Sequence, residues 1–258
     1  MFAVLDDFAP ITLDEMDGIR LMNRTDTKFV VTVSLLRRLL NLAVADYRVQ
    51  DIHGERLSPY YTLYFDTMRF DMYRRHVAGH ANRQKLRIRS YVSSNLNFLE
   101  VKTKNNHGRT RKRRMAMEGF DPMHPDRDMS FDATCCYAPF LHDNLRYDMS
   151  SLRECIENRF NRITLVNNCK TERLTIDTSL SFHNLITGND AALPNIAIVE
   201  LKRDGLAPSP ILAMLRQLRA KPLGFSKYCI GSALTNGALP HGRIKERVRA
   251  VEKLENSL

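Results

Sequence analysis

The sequence has no tryptophan and no long apolar run. No window approaches the roughly 18 consecutive apolar residues of a transmembrane helix, so we expect no transmembrane segment and any membrane role to come through a partner. Residues 1–17 are acidic and lack the basic segment followed by an apolar stretch that is typical of a secretory signal.

Cysteine is present in an odd number, 5 residues, and no two cysteines have the C-x-x-C spacing of a metal or redox site. The 8 histidines are scattered without the spacing of metal ligands. We therefore expect reduced, mostly buried thiols in a cytoplasmic protein.

Acidic residues are also few: the chain has 29 Asp and Glu but 39 Lys and Arg, which gives a formal net charge of +10. Such a surplus favours a polyanionic partner, whether nucleic acid, anionic lipid or a phosphate ligand. The hydrophobic fraction of 43% is sufficient for a core, and the length predicts a single domain over residues 1–258. We place its core at residues 20–232 and a C-terminal helix at residues 243–256.

Short β-branched and alternating segments dominate the chain, which predicts an α+β fold built on an antiparallel sheet. Thr12 and Glu15 form a capping-box pattern at the start of a predicted helix over residues 12–22, and residues 121–158 are predicted to be mainly helical. The other predicted helices are 32–44, 69–78 and 208–220. The predicted strands are 24–31, 60–66, 83–92, 97–104, 109–117, 160–167, 171–178 and 195–202. Many antiparallel strands joined by short turns predict a closed eight-stranded β-barrel, a tunnel with flanking helices.

Charged residues recur at every second position of these strands, which places them on one face. Lys85, Arg87 and Arg89 share a face, with Leu86 and Ile88 opposite. The same alternation groups Arg24, Asp26 and Lys28; Glu100, Lys102 and Lys104; Lys112 and Arg114; Arg162; Arg173 and Asp177; and Glu200 and Lys202. In one strand this pattern indicates only a solvated face, but at least five strands share it. A charged interior with apolar outer positions covered by helices satisfies both faces.

Cations gathered in such an interior repel one another and require counter-charge. Asp26, Glu100, Asp177 and Glu200 supply part of it. A phosphate chain would supply the rest, because its oxygens accept charge-assisted hydrogen bonds from Arg and Lys. Carboxylates among cations also suit Mn²⁺ or Mg²⁺ bridging phosphate oxygens.

These segments resemble the VTC domain, the polyphosphate polymerase module of the triphosphate tunnel metalloenzyme superfamily. The resemblance is carried by R-T-D-T-K-F at 24–29, Y-F-D-T at 64–67, K-L-R-I-R at 85–89, F-L-E-V-K-T-K at 98–104, K-R-R at 112–114, F-N-R at 160–162, R-L-T-I-D-T at 173–178, V-E-L-K at 199–202 and F-S-K-Y at 225–228. It implies a tunnel in which ATP donates phosphate to a polyphosphate chain.

The resemblance also implies roles for individual residues. Glu200 matches the metal-binding glutamate, with Glu100 and Asp177 as helpers, and a further basic position matches either Arg75 or His76. The implied catalytic residues are Lys28, Arg87, Arg89, Lys102 and Glu200. The strand alternation and the resemblance together predict these substrate-binding residues: Arg24, Arg75, Lys85, Lys104, Lys112, Arg114, Arg162, Arg173, Lys202 and Lys227. The first strand lacks the E-x-E-x-K motif of other tunnel enzymes, which sets the chain apart from the adenylate cyclase and thiamine triphosphatase branches.

Three other functions remain open at this point. A tunnel triphosphatase would use the same residues with water as acceptor, and a non-catalytic sensor would bind polyphosphate or nucleotide without turnover. Nucleic-acid binding has its best support in R-T-R-K-R-R at 109–114. That run lies in a predicted strand and no recognition motif accompanies it, which argues against a nucleic-acid partner.

Overall fold

The computed structural model describes residues 2–17, 24–106, 109–125, 131–132, 134–205 and 207–257. Eleven strands and seven α-helices are found among them. The strands are β1 (Ala9–Ile11), β2 (Arg24–Thr32), β3 (Tyr47–Gln50), β4 (Ser58–Thr67), β5 (Arg83–Tyr91), β6 (Leu96–Lys104), β7 (Thr110–Ala116), β8 (Leu152–Asn167), β9 (Glu172–Asn184), β10 (Asp190–Leu193) and β11 (Ile196–Asp204). The helices are α1 (Leu13–Asp17), α2 (Val33–Ala43), α3 (Asp71–Val77), α4 (Ala138–Asn144), α5 (Pro210–Gln217), α6 (Lys227–Thr235) and α7 (Lys245–Glu255).

The strands form one sheet, whose main path runs β2-β11-β9-β8-β4-β5-β6-β7 with antiparallel neighbours. The short strands β1, β3 and β10 extend it at the side. The predicted meander of three strands is confirmed as β5-β6-β7, and the α+β class is confirmed as an antiparallel sheet with flanking helices.

Apolar side chains on the outer face of the sheet pack against helices in two clusters. Around β2, β11 and β9, residues such as Phe29, Val199 and Ile176 pack with Leu36 and Leu40 of α2. Around β4, β5 and β6, the outer residues pack with the segment that carries α4: Leu63, Leu86, Ile88, Leu99, Val101, Phe120, Phe131 and Leu141. The apolar residues that the sequence predicted to point outward are therefore buried under helices and loops. The charged residues that alternate with them lie on the inner face of the sheet.

The predicted closure of the barrel is not confirmed, because the path ends at β2 and β7 and, within the described ranges, these two strands do not pair. The free edge of β2 is occupied instead by the segment before α6. The Leu223 amide donates to the Lys28 carbonyl at 2.8 Å, and Phe29 forms a bridge with Pro222. The Lys28 carbonyl, at the edge of β2, is thus already hydrogen-bonded to another segment.

Two predicted segments differ from the structure. The mainly helical assignment of 121–158 is wrong: α4 is the one α-helix in its described part, and β8 begins already at Leu152. Apolar residues of this stretch, among them Phe131, Tyr137 and Leu141, pack over the outer face of the sheet. The capping box of Thr12 and Glu15 is confirmed by reciprocal hydrogen bonds of 3.0 and 3.3 Å, but α1 ends at Asp17, and residues 18–23 lie outside the described part.

The C-terminal helix is confirmed, with α7 preceded by a 3₁₀ turn at Gly242–Ile244. Sequence patterns missed β1, β3, β10 and α6. In the described parts of the chain, no helix has both the length and the apolar character needed to cross a bilayer.

Candidate functional site

The strand registers place the alternating charged residues side by side on the inner face of the sheet. Glu200 of β11 lies opposite Lys28 of β2, and Arg162 of β8 lies opposite Asp177 of β9. Farther along, the β5–β6 register pairs Lys85 with Lys102 and Arg87 with Glu100, and Lys102 and Glu100 in turn lie opposite Lys112 and Arg114 of β7. We call this side the basic face: Lys28, Lys85, Arg87, Arg89, Glu100, Lys102, Lys112, Arg114, Arg162, Arg173, Asp177, Glu200 and Lys202.

The sheet curls so strongly that the two ends of the basic face approach each other. Five strand steps separate β2 from β5, which in a flat sheet would be about 24 Å. Yet two consecutive residues contact both strands: the Lys28 ammonium donates to the Phe225 carbonyl at 3.1 Å, and the Lys85 ammonium donates to the Ser226 hydroxyl at 2.7 Å. The face is therefore the inside of a trough that the segment before α6 spans.

Asp177 is the centre of a buried ion cluster. Its carboxylate accepts hydrogen bonds from Arg162, at 2.6 Å from Nε and 2.9 Å from Nη2, and from the Lys227 ammonium. Burial opposes ionisation of Asp177, but Arg162 and Lys227 outweigh it and hold its pKa well below the usual range. Asp177 is thus fully engaged, and its predicted role as a metal helper does not fit this arrangement.

Glu100 is engaged in the same manner on the other side of the trough. It accepts from Arg87 Nη2 at 2.6 Å and from the Lys112 ammonium at 3.1 Å, and its side chain is only 1% exposed. Burial raises the pKa of Glu100, but Arg87, Arg89 and Lys112 together lower it to about 2. Glu100 therefore orients the cations of β5 and β7 and, like Asp177, is not available as a helper ligand.

Glu200 differs from these two carboxylates, because its nearest ion-pair contact is a long one of 3.7 Å to the Lys202 ammonium. Burial opposes its ionisation, while Lys28 and Lys202 lower its pKa to about 2, so Glu200 is anionic at any working pH. The described residues contain no group of three His, Cys, Asp or Glu side chains that could hold a metal ion. A site of one carboxylate completed by water and phosphate oxygens fits Mg²⁺ or Mn²⁺, which need few protein ligands when a phosphate is bound.

The pKa values of several lysines on or beside the basic face are lowered, first by burial. Burial and then Arg87, Lys28 and Lys85 lower the pKa of Lys102 to about 7; although the residue is accessible to solvent, its ammonium lies inside the trough among these cations. Burial also lowers the pKa of Lys202 to about 8 and that of Lys227 to about 7. An anion bound in the trough would stabilise the charged ammonium groups and raise these pKa values again.

Aromatic rings hold Arg162 from the side. Its guanidinium lies 4.8 Å from the Tyr60 ring centroid, and Tyr60 stacks on Phe160 at 5.2 Å. The Lys227 ammonium lies 4.2 Å from the Phe160 centroid.

Arg89 has a buried Nε without a hydrogen-bond partner among the described residues. Arg162 is therefore fixed in place, whereas Arg89 has a donor left for a ligand.

The remaining predicted residues are distributed as follows. Arg173 lies opposite Lys202, Lys104 lies opposite Arg83 two residues beyond Lys102, and the Arg114 guanidinium lies 4.5 Å from the Phe98 ring centroid. Lys112 and Arg114, not Arg111 and Arg113, face inward, which resolves the ambiguity of β7. Arg24 begins β2 opposite Asp204, and its side chain lies outside the described part.

Arg75 is placed away from the basic face. It is exposed on α3, and its guanidinium donates to the Asn82 carbonyl at 3.2 Å. The next residue, His76, faces Lys85 and Arg83 instead. Neighbouring helical positions point in different directions, so only one of the two can face β5.

Sequence reasoning missed Ser226, Phe160 and the start of α6. Ser226 caps α6 by accepting from the Cys229 amide at 3.2 Å, so the helix begins at Lys227 and directs its N-terminus toward the trough. Such a terminus favours anions. The period-two rule applied to F-N-R at 160–162 would have placed Phe160 beside Arg162; nothing comparable in the local pattern marks Ser226.

The sequence model of the VTC domain matches residues 23–236 of the chain. That match covers every residue of the basic face and extends to the end of α6. The chain therefore belongs to the VTC domain family. A comparison with curated protein sequences gives no match.

Solved structures with a similar course of the chain share little sequence with it. A candidate adenylate cyclase from Bacillus halodurans is 14% identical with a TM-score of 0.48, covering 80% of this chain and 96% of the other. A candidate adenylyl cyclase from Hippeastrum with a dominant triphosphatase activity is 12% identical with a TM-score of 0.45, covering 85% and 99%. The Pct1 RNA triphosphatase of S. pombe is 8% identical with a TM-score of 0.30, covering 92% and 85%. These likenesses are weak, and the family assignment rests on the sequence match.

Proposed function

We propose that this protein is a metal-dependent polyphosphate polymerase that transfers the γ-phosphoryl group of ATP to a growing polyphosphate chain inside the trough. The observation that carries the proposal is the convergence of Lys28, Lys102, Arg162 and Lys202 around an ionised Glu200 that is not saturated by hydrogen bonds. The resemblance noted in the sequence points to the same activity. We propose that residues 1–258 act as one domain in the cytoplasm.

Phosphoryl transfer needs mainly positioning and stabilisation of charge, and no residue has to act as a nucleophile. Lys28, Arg87, Arg89 and Lys102 would hold the oxygens of the transferring phosphate, with Arg89 using its unfilled Nε. The residues that bind the rest of the substrate would be Lys85, Lys104, Lys112, Arg114, Arg162, Arg173, Lys202 and Lys227. The Asp177 and Glu100 clusters keep these cations in place before substrate arrives.

Glu200 would hold Mn²⁺ or Mg²⁺ together with phosphate oxygens. When bound, such an ion neutralises charge on the transferring group. Lys28 and Lys202 flank Glu200 and hold its carboxylate in the ionised form that a hard cation requires. Glu100 and Asp177 are occupied by Arg and Lys, so the proposed metal site depends on Glu200.

A triphosphatase would use the same residues with water as acceptor, and a non-catalytic module would bind without turnover. Incubation with ATP and Mn²⁺, followed by gel separation of polyphosphate and assay of free phosphate, distinguishes them. A ladder of polyphosphate that grows with ADP release is the expected result. Free phosphate without a ladder would establish the triphosphatase instead, and binding without ADP release would refute both enzymes.

A further inference from the structure

Two cations that have no role in the assignments above, Arg83 and Arg247, lie near Lys104 at one end of the trough. We propose that Arg83, Lys104 and Arg247 form an outer phosphoryl-binding subsite that holds the part of a linear polyphosphate extending past the triphosphate. The identity of the ligand rests on the proposed function, whereas the existence of an anion subsite rests on the following geometry.

The β5–β6 ladder continues the basic face with unbroken positive charge. Lys85 lies opposite Lys102, and the next rung on the same face pairs Arg83 with Lys104. Side chains directly opposite each other have Cβ atoms only about 4.5–5.5 Å apart, and like charges in such pairs are destabilising. Two successive pairs of this kind destabilise the fold by charge repulsion, and a bound polyanion would remove that repulsion.

Arg247 adds a third cation from a different element. It lies on the exposed side of α7, and its guanidinium rests against Gly224, where an added Cβ would lie 3.2 Å from Cζ. Gly224 directly precedes Phe225 and Ser226, the two residues that contact Lys28 and Lys85. The absence of a side chain at Gly224 thus lets Arg247 approach the segment that spans the trough.

No carboxylate neutralises this group within the described residues: Arg83, Lys104 and Arg247 have no ion pair with Asp or Glu there. His76 lies among them with a buried Nδ1 that has no hydrogen-bond partner in the same residues. Burial and the nearby cations Lys85, Arg83, Arg247 and Lys104 lower the pKa of His76 to about 2, so it contributes no further charge in the free protein.

The position of the subsite sets the class of ligand. From Arg87 to Arg83 the strand advances four residues, about 13 Å, along the direction of the basic face. A linear anion bound at Arg87 and Lys102 would meet Lys85 next and then the Arg83–Lys104 rung. A chain that continues beyond three phosphates is therefore the ligand that uses both sites at once, whereas tripolyphosphate uses the inner site alone.

Equilibrium binding of tripolyphosphate and of long-chain polyphosphate tests the proposal. The test protein carries Arg83→Gln and Arg247→Gln. The control carries Arg37→Gln on α2 and Arg249→Gln on α7, two exposed arginines, so that both proteins lose the same charge. We expect the test protein to bind long-chain polyphosphate about tenfold or more weakly than the control, because charge-assisted hydrogen bonds are lost. Binding of tripolyphosphate should be the same in both.

Equal binding of both ligands by the two proteins would overturn the subsite. A parallel loss of tripolyphosphate binding would overturn it as well, since the arginines would then belong to the inner site. If the double variant does not fold, as judged by its urea unfolding curve, Arg247→Glu alone is compared with Arg249→Glu. Because binding is measured without turnover, a failure to make polymer would refute the proposed function and leave this result standing.

Discussion

The two halves of the basic face differ in how they balance charge. On β2, β11, β9 and β8, the carboxylates Asp177 and Glu200, with the neighbouring Asp26, lie among the cations Lys28, Arg162, Arg173 and Lys202. On β5, β6 and β7, the single carboxylate Glu100 lies among the cations Lys85, Arg87, Arg89, Lys102, Lys112 and Arg114, and the neighbouring Arg83 and Lys104 add further positive charge.

Because their charge balance differs, we expect the two halves of the basic face to have different roles. The carboxylates of the first half fix the directions of its cations and supply the metal ligand. The second half is left with charge that only an incoming anion can neutralise, which raises its attraction for phosphate and lowers its own stability. Variants of the first half should therefore alter turnover and folding, and variants of the second half should alter binding.

The largest effect is expected from Glu200→Gln in the first half. The change removes the carboxylate that we propose as the metal ligand, so turnover of ATP with Mn²⁺ should fall about a hundredfold or more. Binding of tripolyphosphate without metal should persist, because a negative charge has been removed from among the cations. Steady-state assays and calorimetry measure the two properties, with Glu252→Gln on α7 as the control. Turnover at the control's level would remove Glu200 from its role.

Asp177→Asn is expected to destabilise the fold. The substitution leaves the buried cations Arg162 and Lys227 without their carboxylate, and breaking a buried ion pair costs about 3–5 kcal/mol of unfolding free energy. Urea unfolding measures this loss, and the exposed Asp143→Asn should change little. Excess tripolyphosphate should restore part of the stability, because it binds the folded state. No difference between the two variants would contradict the central position of Asp177.

In the second half, Arg89→Ala should weaken binding with a small effect on folding. Its Nε is buried without a partner among the described residues, so substitution breaks no internal hydrogen bond of that atom. Loss of a charge-assisted hydrogen bond to phosphate should weaken tripolyphosphate binding by about 1.5–3 kcal/mol. Titration calorimetry against Arg37→Ala measures the change; unchanged affinity would show that Arg89 does not reach the ligand.

The smallest effect is a dependence of binding on pH. The pKa of Lys102 is lowered to about 7 in the free protein, and a bound phosphate favours the charged ammonium and raises it again. Tripolyphosphate should therefore take up protons on binding at pH values above 7, and its affinity should fall as the pH rises. Calorimetry in buffers of different ionisation enthalpy measures the uptake. Lys102→Arg, which stays charged, should reduce it; an equal uptake would assign the protons elsewhere.

The inner charges of the sheet could be predicted from the sequence, because strand geometry forces alternate residues onto one face. Lys85, Arg87 and Arg89 lie where that rule places them, and Leu86 and Ile88 are buried opposite. The helix α2 was equally predictable from its leucine spacing.

Other features depend on contacts between distant parts of the chain. Which carboxylate stays available was not predictable, since Asp177 is engaged by Lys227, which comes 50 residues later. Closure of the barrel is not confirmed: Leu223 hydrogen-bonds to the edge of β2 instead, and nothing local to either segment signals that pairing. Arg247 lies on a helix whose pattern indicates only a charged surface.

The exposed strand β7 has a consequence for behaviour in solution. Every residue from Thr110 to Ala116 is exposed, and four consecutive residues, Arg111 to Arg114, are cationic. A bare strand edge can recruit the same edge of another molecule, and repulsion between dense positive charges is a common safeguard against this. Concentrated salt shortens the range of that repulsion. Storage at high ionic strength should accordingly promote self-association, and a polyanion that coats β7 should have the same effect once its charge matches that of the strand.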